Sequence, residues 1–163
     1  MKETHSEIIK EIKKLTDQRR ALLQQEENTC IVTYTQGEKP IDTGYNDKTT
    51  DKTLRNLDKE IKRLKGILAK SNALTPIKNF DMTIAEGLVY LAQLNSEISR
   101  YQTMAEREPL TRSSAAYRNA SYEITKALCD IKEAKEAYQE TFDLIAKLQM
   151  AIDLTNLTTE VDC

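Results

Sequence analysis

Chemistry needs polar side chains that converge, and this 163-residue chain has few able to do so. It carries one histidine, His5. A lone imidazole cannot supply the paired Glu-x-x-His motifs of a di-metal carboxylate site between facing helices, so that chemistry is excluded. His5 sits near one end of the sequence, where fraying is expected, and it reads as a solvated side chain. The cysteines, Cys30, Cys129 and Cys163, are odd in number and widely spaced, which fits neither a disulfide framework nor a metal pattern. They read as reduced thiols, with Cys129 packed in a helix and Cys163 exposed. Gly37, Gly44, Gly66 and Gly87 stand singly, so there is no glycine-rich phosphate loop. Lys59, Lys62, Arg63 and Lys65 form the strongest basic cluster, but no aromatic stacking partner is adjacent. The cluster reads as a solvated helix face or a contact with a partner helix. Tyrosines 34, 45, 90, 101, 117, 122 and 138 are too dispersed for a cage; Tyr101 and Tyr138 fall on core stripes, with hydroxyls expected at the edge. No catalytic, cofactor-binding or metal-ligating residue is assigned, and the expectation is a protein that is not an enzyme and has no cofactor.

The bulk composition agrees with that plainness. Hydrophobic residues make up 39%, and their spacing is too regular for a disordered chain. With Gly 4, Pro 3 and Trp 0, long helices are favoured over sandwiches or barrels. The net charge of -2 gives no global attraction to nucleic acid or to acidic lipid. The opening "MKETHSEIIKEIKK" holds no apolar signal region, and no apolar run approaches the length of a membrane span. A cytoplasmic protein without membrane contact is therefore expected. Asn119 and Asn156 open Asn-x-Ser/Thr triplets, which read as coincidental in that setting.

The elements that must position these groups are helices. Thr4 and Glu7 form a capping box, opening a helix over 4–28 with the stripe Ile8, Ile12, Leu15 and Leu22, interrupted by Arg19. Residues 29–50 break the pattern: "CIVTYT" is strand-like, and "QGEKP" and "DTGYND" are turn-like. An extended segment or short hairpin is expected there. "TLRNLDKEIKRLKGIL" places Leu54, Leu57, Ile61, Leu64 and Leu68 on one face of a second helix, 51–70, which Pro76 prevents from continuing. Thr83 and Glu86 make a second capping box, opening a third helix over 83–106 with Ile84, Leu88, Leu91, Ile98 and Tyr101 in line. A fourth helix, 120–153, follows a 4-3 rhythm through Ala120, Ile124, Ala127, Ile131, Ala134, Tyr138, Thr141, Ile145, Leu148 and Ile152. That rhythm spans more than four heptads and predicts coiled-coil-like packing. The fold class is all-α: a single domain over 1–163, an antiparallel helical bundle with coiled-coil-like long helices and one short extended or hairpin segment.

Charge suggests neighbours. Residues 51–70 hold seven cations against three anions, and 120–153 hold four against seven. Opposite flanking charges steer helix pairing, which places the second helix against the fourth. The fourth helix is longer than any single partner. Its excess seam, with Ile145, Leu148 and Ile152, is expected to bury against another copy of the chain, most simply in a two-fold dimer. The functional expectation is a helical structural or interaction protein that self-associates through apolar heptad stripes, with a further protein partner; nucleic acid is not expected, and a weak nucleic-acid-binding module stands as an alternative.

One resemblance covers most of the chain. "DQRRALLQQ" in the first helix, "QGEKP" after a short extended run, "LAKSNALT", "MTIAEGL", "TRSSAAY" and the close "LTNLTTEV" occur in an order similar to the septicolysin-like family of small bacterial helical proteins. Family members tend to have an aromatic residue where Leu157 stands. The resemblance implies an all-helical fold of uncharacterised function. Its label also implies an alternative, a membrane-active cytolysin. Thiol-activated pore formers use a Trp-rich loop holding a cysteine, and this chain has no Trp.

Overall fold

In a computed structural model of the chain, residues 2–113 and 123–162 are described. Most of them are helical, with two small two-stranded sheets. The start of α1 (His5–Thr29) is set by the capping box: Thr4 N donates to Glu7 Oε2 at 2.7 Å, and Glu7 N donates back to Thr4 Oγ1 at 3.3 Å. The start of α3 (Ile84–Ala105) repeats this with Thr83 and Glu86. Both boxes were expected, because they depend only on residues three apart. Asn46 caps α2 (Asp47–Leu74) by accepting from Thr49 N at 3.0 Å, so α2 begins earlier and ends later than the apolar stripe alone indicates. Asp130 Oδ1 accepts from Lys132 N and Glu133 N and opens α4 (Ile131–Thr158).

The boxes titrate. Backbone donation from Thr4 and Thr83, then donation from their hydroxyls, hold the carboxyls of Glu7 and Glu86 below the usual carboxylate range. A folded-state value below the unfolded one contributes stability that is present above the ordinary glutamate value of about 4.3 and lost as pH falls through the folded value. Acidification below that region is expected to loosen the first turns of α1 and α3. In the double variant Glu7→Gln/Glu86→Gln, which keeps an acceptor but cannot ionise, circular dichroism should show a shallower loss of helix with acid; an unchanged acid slope contradicts this.

The chain divides into two compact units: residues 1–75 with 155–163, and residues 76–154. In the first, α1 and α2 form an antiparallel pair, since contacts descend one helix as they climb the other. Tyr45 Oη donates to Glu26 Oε1 at 2.7 Å, and Arg19 Nε donates to Asp58 Oδ1 at 2.6 Å. Arg19, an interruption in the stripe, is thus an interhelical ion pair. Ile8 and Leu64 are its buried aliphatic residues, with Leu54, Leu57, Ile61 and Leu68 half-buried. Within this unit the neighbour of α2 is α1, the helix to which one loop joins it. Exposed ion pairs are worth roughly 0–1 kcal/mol, too little to override apolar burial between helices joined by one loop. The strands β1 (Lys2–Thr4) and β4 (Glu160–Asp162) pair antiparallel in the same unit, with Glu3 opposite Val161.

Over residues 30–46 the hairpin alternative is not met, and the segment is an exposed loop. No strand forms there among the described residues; "CIVTYT" is largely exposed and runs into a turn where Glu38 N donates to Thr35 O. Gly37 and Gly44 take left-handed conformations, φ 99° and 69°, which their missing Cβ permits. A β-prone run without a second strand to pair with stays open.

The second unit holds α3, most of α4 and a hairpin, β2 (Leu110–Ser113) with β3 (Glu123–Lys126), in which Arg112 faces Ile124. Here the fourth helix departs from expectation. It starts at Ile131, and Ile124 belongs to an exposed strand; Ala120 lies outside the described residues. The run "EITK" is β-branched at its centre, and pairing with "LTRS" outweighs the helical rhythm. From Ile131 onward the rhythm holds: Ala134, Thr141, Leu148 and Ile152 are buried. The core joins Ile77, Ile84, Leu91, Leu94, Leu148 and Ile152, with Phe80, Leu144 and Ile145 at its edge. In α3 the buried face is Ile84, Gly87, Leu91 and Leu94, so the expected stripe holds except at Leu88, which is exposed with Val89 while Gly87 turns inward. Gly87 explains the exception. A Cβ there would meet the side chain of Ile77 and lie 3.3 Å from Ile152 Cδ1, so the core closes directly on its backbone.

Candidate functional site

His5 is not solvated: it is fully buried. Its Nε2 lies 2.6 Å from Ser71 Oγ in the last turn of α2, and its Nδ1 lies 3.2 Å from Asn156 Oδ1 in the last turn of α4. With Asn156 Oδ1 accepting, Nδ1 carries the proton and Nε2 accepts from the serine hydroxyl. The backbone N–H of His5 donates to Thr159 O at 3.1 Å. Thr75 Oγ1 completes the group, 3.4 Å from Ser71 Oγ while donating to Ser71 O. Beside Ser71 in sequence, Asn72 Oδ1 is buried with no hydrogen-bond partner among the described residues.

Asn–His–Ser is the bonding order of a nucleophilic triad. A triad also needs its serine presented to a substrate from a bend or loop, with donors for an oxyanion. Ser71 instead lies within a helical turn, and its hydroxyl is shared with His5 and Thr75. The cluster therefore works as a clamp, holding α1, the end of α2 and the residues before β4 at one point. Each ring nitrogen has one polar partner from a distant position, which is what lets the imidazole be buried.

The basic cluster on α2 is partly neutralised. Arg63 Nη2 donates to Glu60 Oε1 at 2.6 Å, and that bond, with the nearby charges of Arg63 and Lys59, holds the Glu60 carboxyl low. Lys59, Lys62 and Lys65 are exposed. Cys30 is exposed and Cys129 half-buried just before α4, while Cys163, Tyr117 and Tyr122 lie outside the described residues. Tyr101 and Tyr138 are half-buried, as packing residues with hydroxyls at the edge should be.

The second unit presents the surface the sequence reading missed. Opposite its buried stripe, α4 carries Gln139, Phe142, Asp143, Ala146, Gln149, Met150 and Asp153, all exposed. Their spacing puts them on one face about 21 Å long. Phe142 is 51% exposed and Met150 72%. Both aspartates are bound within the helix, Gln139 donating to Asp143 and Gln149 to Asp153 at 3.0 Å each. Beside Met150 opens a groove of about 580 Å³, floored by Phe80, Met150, Ala151 and Leu154, with Lys78, Asn79 and Lys147 at its rim. Among the described residues neither lysine has an ion-pair partner. This face was legible as an amphipathic signal, but the stripe of Leu148 and Ile152 masked it. Those two residues, expected between copies, are consumed by the core of their own unit.

Among the described residues there is no cluster of metal-ligating side chains, and no helix is long and apolar enough to cross a membrane. No protein-family model and no curated protein matches the chain. Among solved structures, it is similar to a functionally unknown conserved protein from Corynebacterium diphtheriae, 18% identical with a TM-score of 0.75, over 99% of this chain and 100% of that one. At that identity the likeness is one of fold: a mainly helical chain that carries small strands.

Proposed function

We propose that this chain is a helical interaction protein, acting by contact rather than catalysis, and that it self-associates through the outer face of α4. The observation that carries the reading is the exposed row Phe142–Ala146–Met150 on a helix whose opposite face is already buried. An apolar row of this kind on a half-buried helix fits a groove or another helix better than water. The seam first expected, at Leu148, moves half a turn around the same helix. The resemblance to septicolysin-like proteins belongs with this reading as a proposal about ancestry. Size exclusion coupled to light scattering, at tens of micromolar protein, is expected to give a dimer. Ala146→Arg, which sets a charge at the centre of the row without touching the core, is expected to give a monomer of unchanged helicity. A wild-type monomer overturns the reading.

A further inference from the structure

Resting on that self-association, we infer that the two copies pair antiparallel about Ala146, and that the lysine-rimmed groove of each receives the acidic row of the other. The argument starts from residue types along one flank of α4. Glu136, Glu140, Asp143, Lys147 and Leu154 succeed one another at helical spacing and are all exposed. The flank is thus divided: toward the N-terminal half stand three carboxylates, of which Glu136 is already paired with Lys132 at 3.7 Å, then Lys147 and the apolar groove, where Lys78 adds a second cation. A two-fold axis through Ala146, perpendicular to the helix, lays the acidic half of each copy beside the cationic half of the other. Asp143 then stands next to the partner's Lys147, and Lys147 next to the partner's Asp143. Glu140 extends toward the partner's Lys78.

The centre of the face obeys the same symmetry. Phe142 and Met150 are each four residues from Ala146, so Phe142 packs on the partner's Met150, and the two small alanines let the helices approach. Gln139 meets the partner's Asp153. A parallel pair would instead set Asp143 against the partner's Asp143 and Asp153 against the partner's Asp153, a repulsive arrangement. The groove is incomplete in one copy: its two cations find their counter-charges in the other.

The test is a charge exchange within one chain, read as the dimer dissociation constant by sedimentation equilibrium. Asp143→Lys and Lys147→Glu alone each oppose like charges across the axis and are expected to weaken the dimer by about ten-fold or more. The double variant Asp143→Lys/Lys147→Glu restores opposite charges and is expected to return to within about three-fold of wild type. All three should keep wild-type helicity, since both positions are exposed. A wild-type dimer that Lys147→Glu leaves unchanged, or that the double variant fails to restore, overturns this inference and leaves the self-association standing. A wild-type monomer removes the self-association itself.

Discussion

Leu148→Ala is expected to lower the stability of the second unit by about 3–5 kcal/mol. Leu148 is fully buried among Ile77, Ile84, Leu91, Leu94 and Ile152. Removing its branched end loses the transfer energy of the missing atoms and leaves a cavity that α3 cannot collapse into. The reason lies at Gly87, where the backbone already touches the core and has no side chain to shift inward. Met150→Ala, two residues on and 72% exposed in a single copy, removes no core atom and, at concentrations where the chain is monomeric, is expected to stay within about 0.5 kcal/mol. Because the chain has two units, a single unfolding curve mixes them. Hydrogen exchange resolved to the amides of α3 separates them: Leu148→Ala should raise exchange over Ile84–Ala105 by orders of magnitude, and Met150→Ala should not. Equal effects from the two variants would place the core elsewhere.

The second large effect is expected at His5. His5→Ala removes two hydrogen bonds and a fully buried ring, leaving Ser71 Oγ and Asn156 Oδ1 facing a void. Unsatisfied buried groups and the cavity together cost about 2–4 kcal/mol. The loss should appear first in the pairing of β1 with β4, which the backbone bond from His5 N to Thr159 O extends. Exchange at the amides of residues 2–4 and 160–162 is the sensitive measurement. Ser71→Ala deletes one partner and is expected to lose less than His5→Ala. If His5→Ala melts like the wild type, the cluster is not a clamp.

What could be read from the sequence follows how local each cause is. The boxes at Thr4 and Thr83 need residues three apart, and they were placed correctly. The 4-3 rhythm of α4 is also local, and it holds from Ile131 to Ile152. It misleads at Ile124, because the pairing of 110–113 with 123–126 is tertiary and costs the sequence no visible break in pattern. His5 shows the same limit more sharply. Its partners lie 66 and 151 residues away, and nothing in "THSE" announces them. In α3 the residue type that decides the buried face is Gly87, which adds nothing to a hydrophobic pattern and therefore cannot be seen in one. The outer face of α4 was present in the sequence as Phe142 and Met150. It was overlooked because a helix with two apolar faces is assigned only its longer one.

The first unit is discontinuous: residues 155–163 return to complete what residues 1–75 begin. Synthesis on the ribosome proceeds in one direction, so this has a temporal meaning. When α1 and α2 emerge, the imidazole of His5 can meet Ser71 but still lacks Asn156, and β1 has no strand beside it. Residues 76–154 are all available before that gap closes. The hairpin of α1 and α2 therefore waits, half-clamped, through the translation of the other unit, and residues 155–162 act as its latch. A chain cut before Thr155 lacks both Asn156 and β4, and so leaves the same half-clamped hairpin.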